Sequence, residues 1–257
     1  MAQTDGAAAT AREVARALAT LLADEPTLAA LLPDAYVERA AAYGALLVDA
    51  NRQLNLTRVT EPAELARLHL LDSLAALPLL DAAGGRSAID LGSGGGVPGI
   101  PLALARPGMH WILVDSVRKK ARVLAAMVDQ LDLGNVTVMA ERAELLGRDA
   151  AHRERHDLVA ARACAPLPVL AELTIPLLAV GGTLLAWKGP LSAGDDEFER
   201  GTVALRELGA APPRLEPAGP ASLGGHTFVL ARKEQTTPER YPRRPGEPSR
   251  KPLGEPR

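Results

Sequence analysis

The stretch Asp90-Leu91-Gly92-Ser93-Gly94-Gly95-Gly96-Val97-Pro98-Gly99 follows the apolar run Ser87-Ala88-Ile89 and leads into a segment that reads as a helix. A strand that breaks into glycines turns sharply at its carboxyl end, and the missing Cβ atoms let a ligand approach the backbone. The dinucleotide fingerprint needs a third glycine where this chain has Val97, and three consecutive glycines followed by Val-Pro-Gly do not satisfy it. The turn therefore predicts a nucleotide-like ligand other than NAD.

Outward from this turn the sequence alternates short apolar runs with helical segments. The expected strands are Ser87-Leu91, His110-Asp115, Asn135-Ala140, His156-Ala161, Gly182-Trp187 and Thr227-Arg232, with helices starting near Pro98, Ser116, Ala143, Leu167 and Gly194. That order predicts a doubly wound, Rossmann-like α/β sheet covered on both faces. Ahead of it, Thr10 to Leu32 and the run from Asp34 (Val37, Ala40, Tyr43, Leu47, Ala50) have helical spacing and break at Pro33; a further helix, Ala63 to Leu77, is expected to stop at Pro78. Three regions follow: an N-terminal helical extension over 1–85, an α/β core over 86–232 and a basic, Pro-rich tail over 233–257.

Of the 257 residues 47% are apolar and 23% charged, the balance of a soluble chain with one main core. No apolar run reaches the roughly 18 residues of a membrane span, and Met1-Ala2-Gln3-Thr4-Asp5 does not begin like a signal peptide, so the expected location is the cytoplasm, away from membranes. One cysteine, Cys164, forms no internal disulfide and is read as structural. Among the five histidines only His152 and His156 have a ligand-like spacing, and His156 begins a strand; no metal is expected. The net charge of −2 excludes a uniformly basic coat, yet residues 232–257 hold eight Lys or Arg against four Glu, a surplus of +4 that leaves −6 elsewhere. Such a segment reads first as a solvated, flexible end and, more sharply, as a phosphate-contacting arm.

Beside the turn, Asp115 closes the second strand, where a carboxylate can accept both ribose hydroxyls of an adenosine, a role common to nucleotide and S-adenosylmethionine folds. Ser116 is the expected cap of the helix over 117–131. After the third strand, Glu141-Arg142-Ala143-Glu144 is placed to run beside an adenine ring, although an acidic pair there more often complements a helix dipole. Arg162 ends the fourth strand, poised for a cofactor carboxylate or an RNA phosphate. Arg118-Lys119-Lys120 and Arg122 give the next helix a basic start, which gains weight only through its position beside the turn.

In order along the chain, Asn55-Leu56-Thr57, His69-Leu70-Leu71-Asp72-Ser73, Asp90 to Pro101, Leu113-Val114-Asp115-Ser116 with Lys119, Lys120 and Arg122, Arg142-Ala143-Glu144, Arg162-Ala163, Lys188-Gly189 and the ending Thr237 to Gly246 with Pro248 and Lys251-Pro252-Leu253 resemble the RsmG (GidB) family of small-subunit ribosomal RNA methyltransferases. The resemblance runs from about Val37 onward. It implies a class I S-adenosylmethionine-dependent methyltransferase fold and transfer of a methyl group from S-adenosyl-L-methionine to N7 of one guanosine in 16S rRNA, naked or within the small ribosomal subunit, by a monomer. It further implies that Gly92, Ser93, Gly94 and Val97 line the cofactor, Asp115 and Ser116 meet its ribose side, Ala143 and Glu144 flank the adenine, and Arg162 borders cofactor and substrate. His69, Asp72, Ser73 and Lys188 are its candidates on the substrate side. Many members carry another residue at the position of Gly95.

Guanine N7 has a lone pair and no proton, so the implied reaction needs alignment and tolerance of positive charge, not a general base. His69 accordingly reads as a positioning residue. Two rivals share the features of the core: a non-catalytic RNA-binding ribosome assembly factor, and a nicotinamide-dependent reductase, against which Val97 and the few tyrosines count.

Overall fold

The computed structural model describes residues 2–254, with side chains from Gly6 onward. Seven strands form one sheet: β1 (Ser87–Leu91), β2 (His110–Val114), β3 (Val136–Met139), β4 (His156–Arg162), β5 (Leu178–Lys188), β6 (Arg214–Pro217) and β7 (Thr227–Arg232). Their spatial order is β3-β2-β1-β4-β5-β7-β6, with β1 to β5 parallel and β7 antiparallel to both neighbours. The six expected strands are all present. The seventh, β6, has no apolar run to announce it: Arg-Leu-Glu-Pro is short, polar and ends in proline, as suits an edge strand.

Central strands buried on both faces need apolar side chains of both parities. Ala88, Trp111, Leu113, Leu158, Ala160, Leu185 and Phe228 point into one core, whereas Ile89, Ile112, Val114, Val159, Ala161, Leu184 and Val229 point into the other. Helices Gly99–Ala105 and Arg118–Gln130 cover the first face together with the N-terminal extension; helices Leu167–Thr174 and Asp196–Glu207 cover the second.

The N-terminal extension contains helices Ala2–Ala23, Pro26–Ala29 and Tyr36–Asn51, so the chain breaks at Pro26 as well as near Pro33. Helix Pro62–Leu65 continues through a π-helical stretch, Ala66–Leu71, into Asp72–Leu74. Pro78 does not stop this run. It lies at the start of the next helix, Leu77–Ala83, where proline's missing N–H has no intrahelical partner to lose. The extension is bonded to the glycine-rich turn: the buried Tyr43 hydroxyl donates to Gly95 O at 2.9 Å. A Cβ at Gly95 would stand 2.6 Å from Leu47 Cδ1, the mobile end of a side chain, so another residue is accommodated by a small shift of Leu47.

The tail is not the solvated end that its composition suggests. Lys233 is fully buried and its Nζ donates to Glu154 Oε1 (2.7 Å) and Ile175 O (3.0 Å). Thr237 and Tyr241 are buried, and the Arg153 guanidinium donates to Thr237 O and Tyr241 O at 2.8 and 2.7 Å. Arg243 donates from its backbone N (2.7 Å) and its Nε (2.9 Å) to Glu172 Oε1, a carboxylate with no exposed surface. Lys233 and Arg243 are thus paired with acids of the core. Because removing one partner strands a buried charge, Arg243→Ala should cost about 3–5 kcal/mol in urea unfolding, and Glu172→Leu added to it should recover much of the loss. A change within about 0.5 kcal/mol for Arg243→Ala would mean that the segment is not anchored there.

Candidate active site

The strand order reverses between β1 and β4, and in open α/β sheets the crevice beyond the carboxyl ends of those strands is the binding position. Gly92, Gly94 and Gly96 all have positive φ (76°, 55° and 99°), so the turn needs the conformations that glycine adopts without strain. Gly92 N and Ser93 N donate to Val114 O at 2.8 and 3.0 Å, pinning the turn to β2. Ser93 Oγ donates to Asp90 O and accepts from Val114 N, closing the same junction from its side chain.

Asp115 lies across the turn. One carboxylate oxygen accepts from Gly94 N (3.0 Å) and the other from Val117 N (2.8 Å). The helix behind it begins at Arg118 and has no side-chain cap: Asp115 serves only the N–H of Val117, one residue ahead of the helix, and Ser116 is exposed and makes no capping bond, contrary to the sequence expectation. The crevice is lined by Gly92, Ser93, Gly94, Val97 and Asp115, by Lys120 and Arg162, and by Leu47, Leu56, Thr57 and His69 from the extension. Asn51 Oδ1 accepts from Leu56 N and Thr57 N (2.7 and 2.9 Å), folding that loop toward the site. A second hollow extends from Gly92 and Val114 past Ser116 to Ala143, Glu144 and Cys164. A third is lined by Asp72, Arg162, Ala163, Trp187, Lys188, Gly189 and His226.

Arg162 stands between the first hollow and the third. It is less exposed than its place at a strand end suggested, with about a fifth of its side chain accessible. Its guanidinium donates to Leu68 O (2.7 Å), Asp72 Oδ2 (3.0 Å) and His69 Nδ1 (3.1 Å). Since Nδ1 faces a donor, His69 carries its proton on Nε2, which donates to Thr57 Oγ1 at 2.7 Å. Burial, followed by the Arg162 charge, lowers the His69 pKa to about 4, so the ring is neutral near pH 7. Asp72 is buried, and its other oxygen accepts from His226 Nδ1 at 2.8 Å. His226, missed by the sequence reading because it stands alone before an ordinary strand, thereby joins the site. Lys188 Nζ donates to Ala165 O (2.8 Å) and Glu197 Oε1 (2.6 Å), at the border of the third hollow.

Glu144 is also buried; its carboxylate accepts from Arg142 and from Gly246 N, which together hold its pKa below the usual range against the opposing effect of burial. Cys164 is exposed but turns its thiol to Leu91 O at 3.0 Å, and enclosure of the sulfur pushes its pKa up to about 12. Among the described residues no cluster of His, Cys, Asp and Glu could hold a metal, and no helix is long and apolar enough to cross a membrane.

The sheet order with its single reversed strand pair, and a glycine turn at the switch point facing a carboxylate after β2, define a class I S-adenosylmethionine-dependent methyltransferase fold. Solved structures share it: the S-adenosylmethionine-dependent methyltransferase SibL, in its apo form, superposes with a TM-score of 0.53 at 18% identity over 77% of this chain and 70% of that one. An O-methyltransferase from Bacillus cereus in complex with SAH gives 0.51 at 15% identity over 75% and 91%. The model of the family described as rRNA small subunit methyltransferase G, GidB, matches residues 36–208. Proteins named ribosomal RNA small subunit methyltransferase G are 43% identical over 218 residues in Roseiflexus castenholzii (84% of this chain, 92% of the relative) and 42% identical over 210 residues in Deinococcus radiodurans (81% and 82%). The chain belongs to the rRNA small subunit methyltransferase G family.

Asp90, at the head of the turn, is fully buried; Oδ2 accepts from Gly99 N at 3.0 Å, whereas Oδ1 has no partner. Burial raises its pKa from 3.8 to about 6. A group raised in the folded state contributes stability that is complete below 3.8 and is lost as pH climbs to about 6. Asp90→Asn, which keeps an acceptor for Gly99 N, should therefore gain stability relative to the parent chain between about pH 4 and 7 in urea titrations, and a constant difference would contradict the raised pKa.

Proposed function

We propose that this protein transfers the methyl group of S-adenosyl-L-methionine to N7 of a guanosine in 16S rRNA, acting in the cytoplasm as a monomer. The observation that carries the reading is the convergence of the glycine turn, Asp115 and Arg162 at the β1/β4 switch point of a chain in this family. The donor set fits the cofactor: a carboxylate suits a ribose diol, Lys120 and Arg162 suit an amino-acid carboxylate, and Leu47, Leu56 and Val97 supply an apolar wall. When bound, the cofactor supplies an electrophilic methyl group on a sulfonium. Gly92, Ser93, Gly94 and Val97 line the cofactor side, Asp115 and Ser116 take the ribose side, and Ala143 and Glu144 flank the adenine. Arg162 borders cofactor and acceptor.

Guanine N7 presents its lone pair without losing a proton, so the residues around the acceptor hold and orient. Neutral His69 offers no proton to give near pH 7, and both oxygens of Asp72 are engaged by Arg162 and His226. Their task is to fix Arg162 and the wall of the third hollow, with Lys188 at its border. Catalysis then comes from alignment in a site that tolerates the positive charge passing to the base.

Gly92→Val places a side chain where a Cβ alone would meet Cys164 Sγ at 3.2 Å and where φ is +76°. It and Asp115→Ala should each weaken S-adenosylhomocysteine binding by about tenfold or more in calorimetry, and unaltered affinity in both would remove the assigned site. Single-turnover methylation of small-subunit rRNA should be level between about pH 7 and 9, whereas a tenfold rise per pH unit would reveal a general base. Mapping of 7-methylguanosine in 16S rRNA with and without the gene tests substrate and reaction together: one lost modification supports the reading, and an unchanged pattern overturns it.

A further inference from the structure

The hollow beyond β1 and β2 has a wall that does not come from the α/β core. Gly92 and Val114 border one side, Ala143 and Glu144 the second, and Ser249 of the tail the third. Three contacts hold the tail there, and a fourth closes it on itself. Gly246 N donates to Glu144 Oε1 at 2.8 Å, and Arg243 is paired with the buried Glu172. Arg243 Nη2 also donates to Lys251 O at 2.8 Å, which closes residues 243–251 into a loop of their own. At the far end Gly254 packs so tightly on Arg200 that an added Cβ would stand 2.3 Å from its carbonyl oxygen.

Glu144 is central to this arrangement. Both of its oxygens are taken, Oε1 by Arg142 Nη2 and Gly246 N and Oε2 by Arg142 Nε. Its carboxylate therefore clamps the tail, and the hollow is bordered there by Arg142, Ala143 and Glu144 together with Ser249. We infer that residues 243–251 form the third wall of the adenosine pocket, that Glu144 is the positioning residue that seats them, and that Ser249 contacts the adenine end of the cofactor. This rests on the cofactor assignment proposed above. A ligand bound against a segment that closes on it stabilises the closed arrangement, so cofactor binding and opening of the tail are thermodynamically linked.

Two measurements test it, both with S-adenosylhomocysteine as the probe. In hydrogen exchange on the unaltered protein, saturation with the probe should slow the amides of residues 246–250 about tenfold, while those of the N-terminal helix Ala2–Ala23 stay unchanged. In calorimetry Ser249→Tyr, at an exposed position that tolerates a larger side chain, should bind the probe about tenfold more weakly because the ring projects into the hollow. Unchanged exchange at 246–250, or unchanged affinity in Ser249→Tyr, overturns the tail wall while the cofactor assignment stands. Failure of the unaltered protein to bind the probe at all overturns both. The exchange measurement is decisive even if the variant does not fold.

Discussion

The guanidinium of Arg162 is the joint between the two halves of this molecule. It leaves the carboxyl end of β4 and is met by three acceptors from one short stretch of the N-terminal extension: Leu68 O, His69 Nδ1 and Asp72 Oδ2. A planar group with several fixed donors can satisfy such a set where an ammonium could not. The stretch is π-helical, an irregularity that functional sites often carry. From this joint the other placements follow. His69 is held neutral and turned to Thr57, Asp72 is held for His226, and the backbone O of Asp72 accepts from Trp187 Nε1 on β5 at 3.0 Å. Cofactor crevice and acceptor hollow share a wall because both border Arg162.

Two local costs lie close to this joint. Ala163, the residue after Arg162, has a φ of +54°, and Asp90 keeps one buried oxygen without a partner. Each is unfavourable on its own, by an amount of order 1–3 kcal/mol. Asp90 is the next-to-last residue of β1 and Ala163 directly follows β4, so both lie where the carboxyl ends of those strands separate. The two apolar cores supply the rigidity that lets these features persist.

The α/β core was legible because apolar runs and glycines report directly on sheet burial and on backbone turns. Six strands and the helices between them could be placed to within a few residues. β6 could not, since an edge strand of two charged residues, a leucine and a proline has no buried face to impose a pattern. That the glycine turn and Asp115 face one another could be expected from their order alone, whereas the helix that Ser116 had been expected to cap begins without a side-chain cap. His226 was invisible for a different reason: its significance lies wholly in Asp72, more than 150 residues earlier. Contacts at that separation leave no local periodicity.

The tail shows how composition misleads when charges are counted without their partners. A basic, proline-rich segment looks solvated as long as its cations are assumed to face water. Here Lys233 and Arg243 turn inward to Glu154 and Glu172, and the backbone at Gly246 meets Glu144. Glu154 and Glu172 carry no signal in the sequence, and Glu144 was expected beside the adenine and not as a clamp for the tail. Prolines assist, because a chain with fewer conformations loses less entropy when it is fixed on a surface. Part of the core's acid and part of the tail's base thus meet in one set of contacts, Lys233 with Glu154, Arg240 with Glu207 and Arg243 with Glu172. That set brings Ser249 of the tail to the hollow that Gly92, from the turn that decides the fold, also borders.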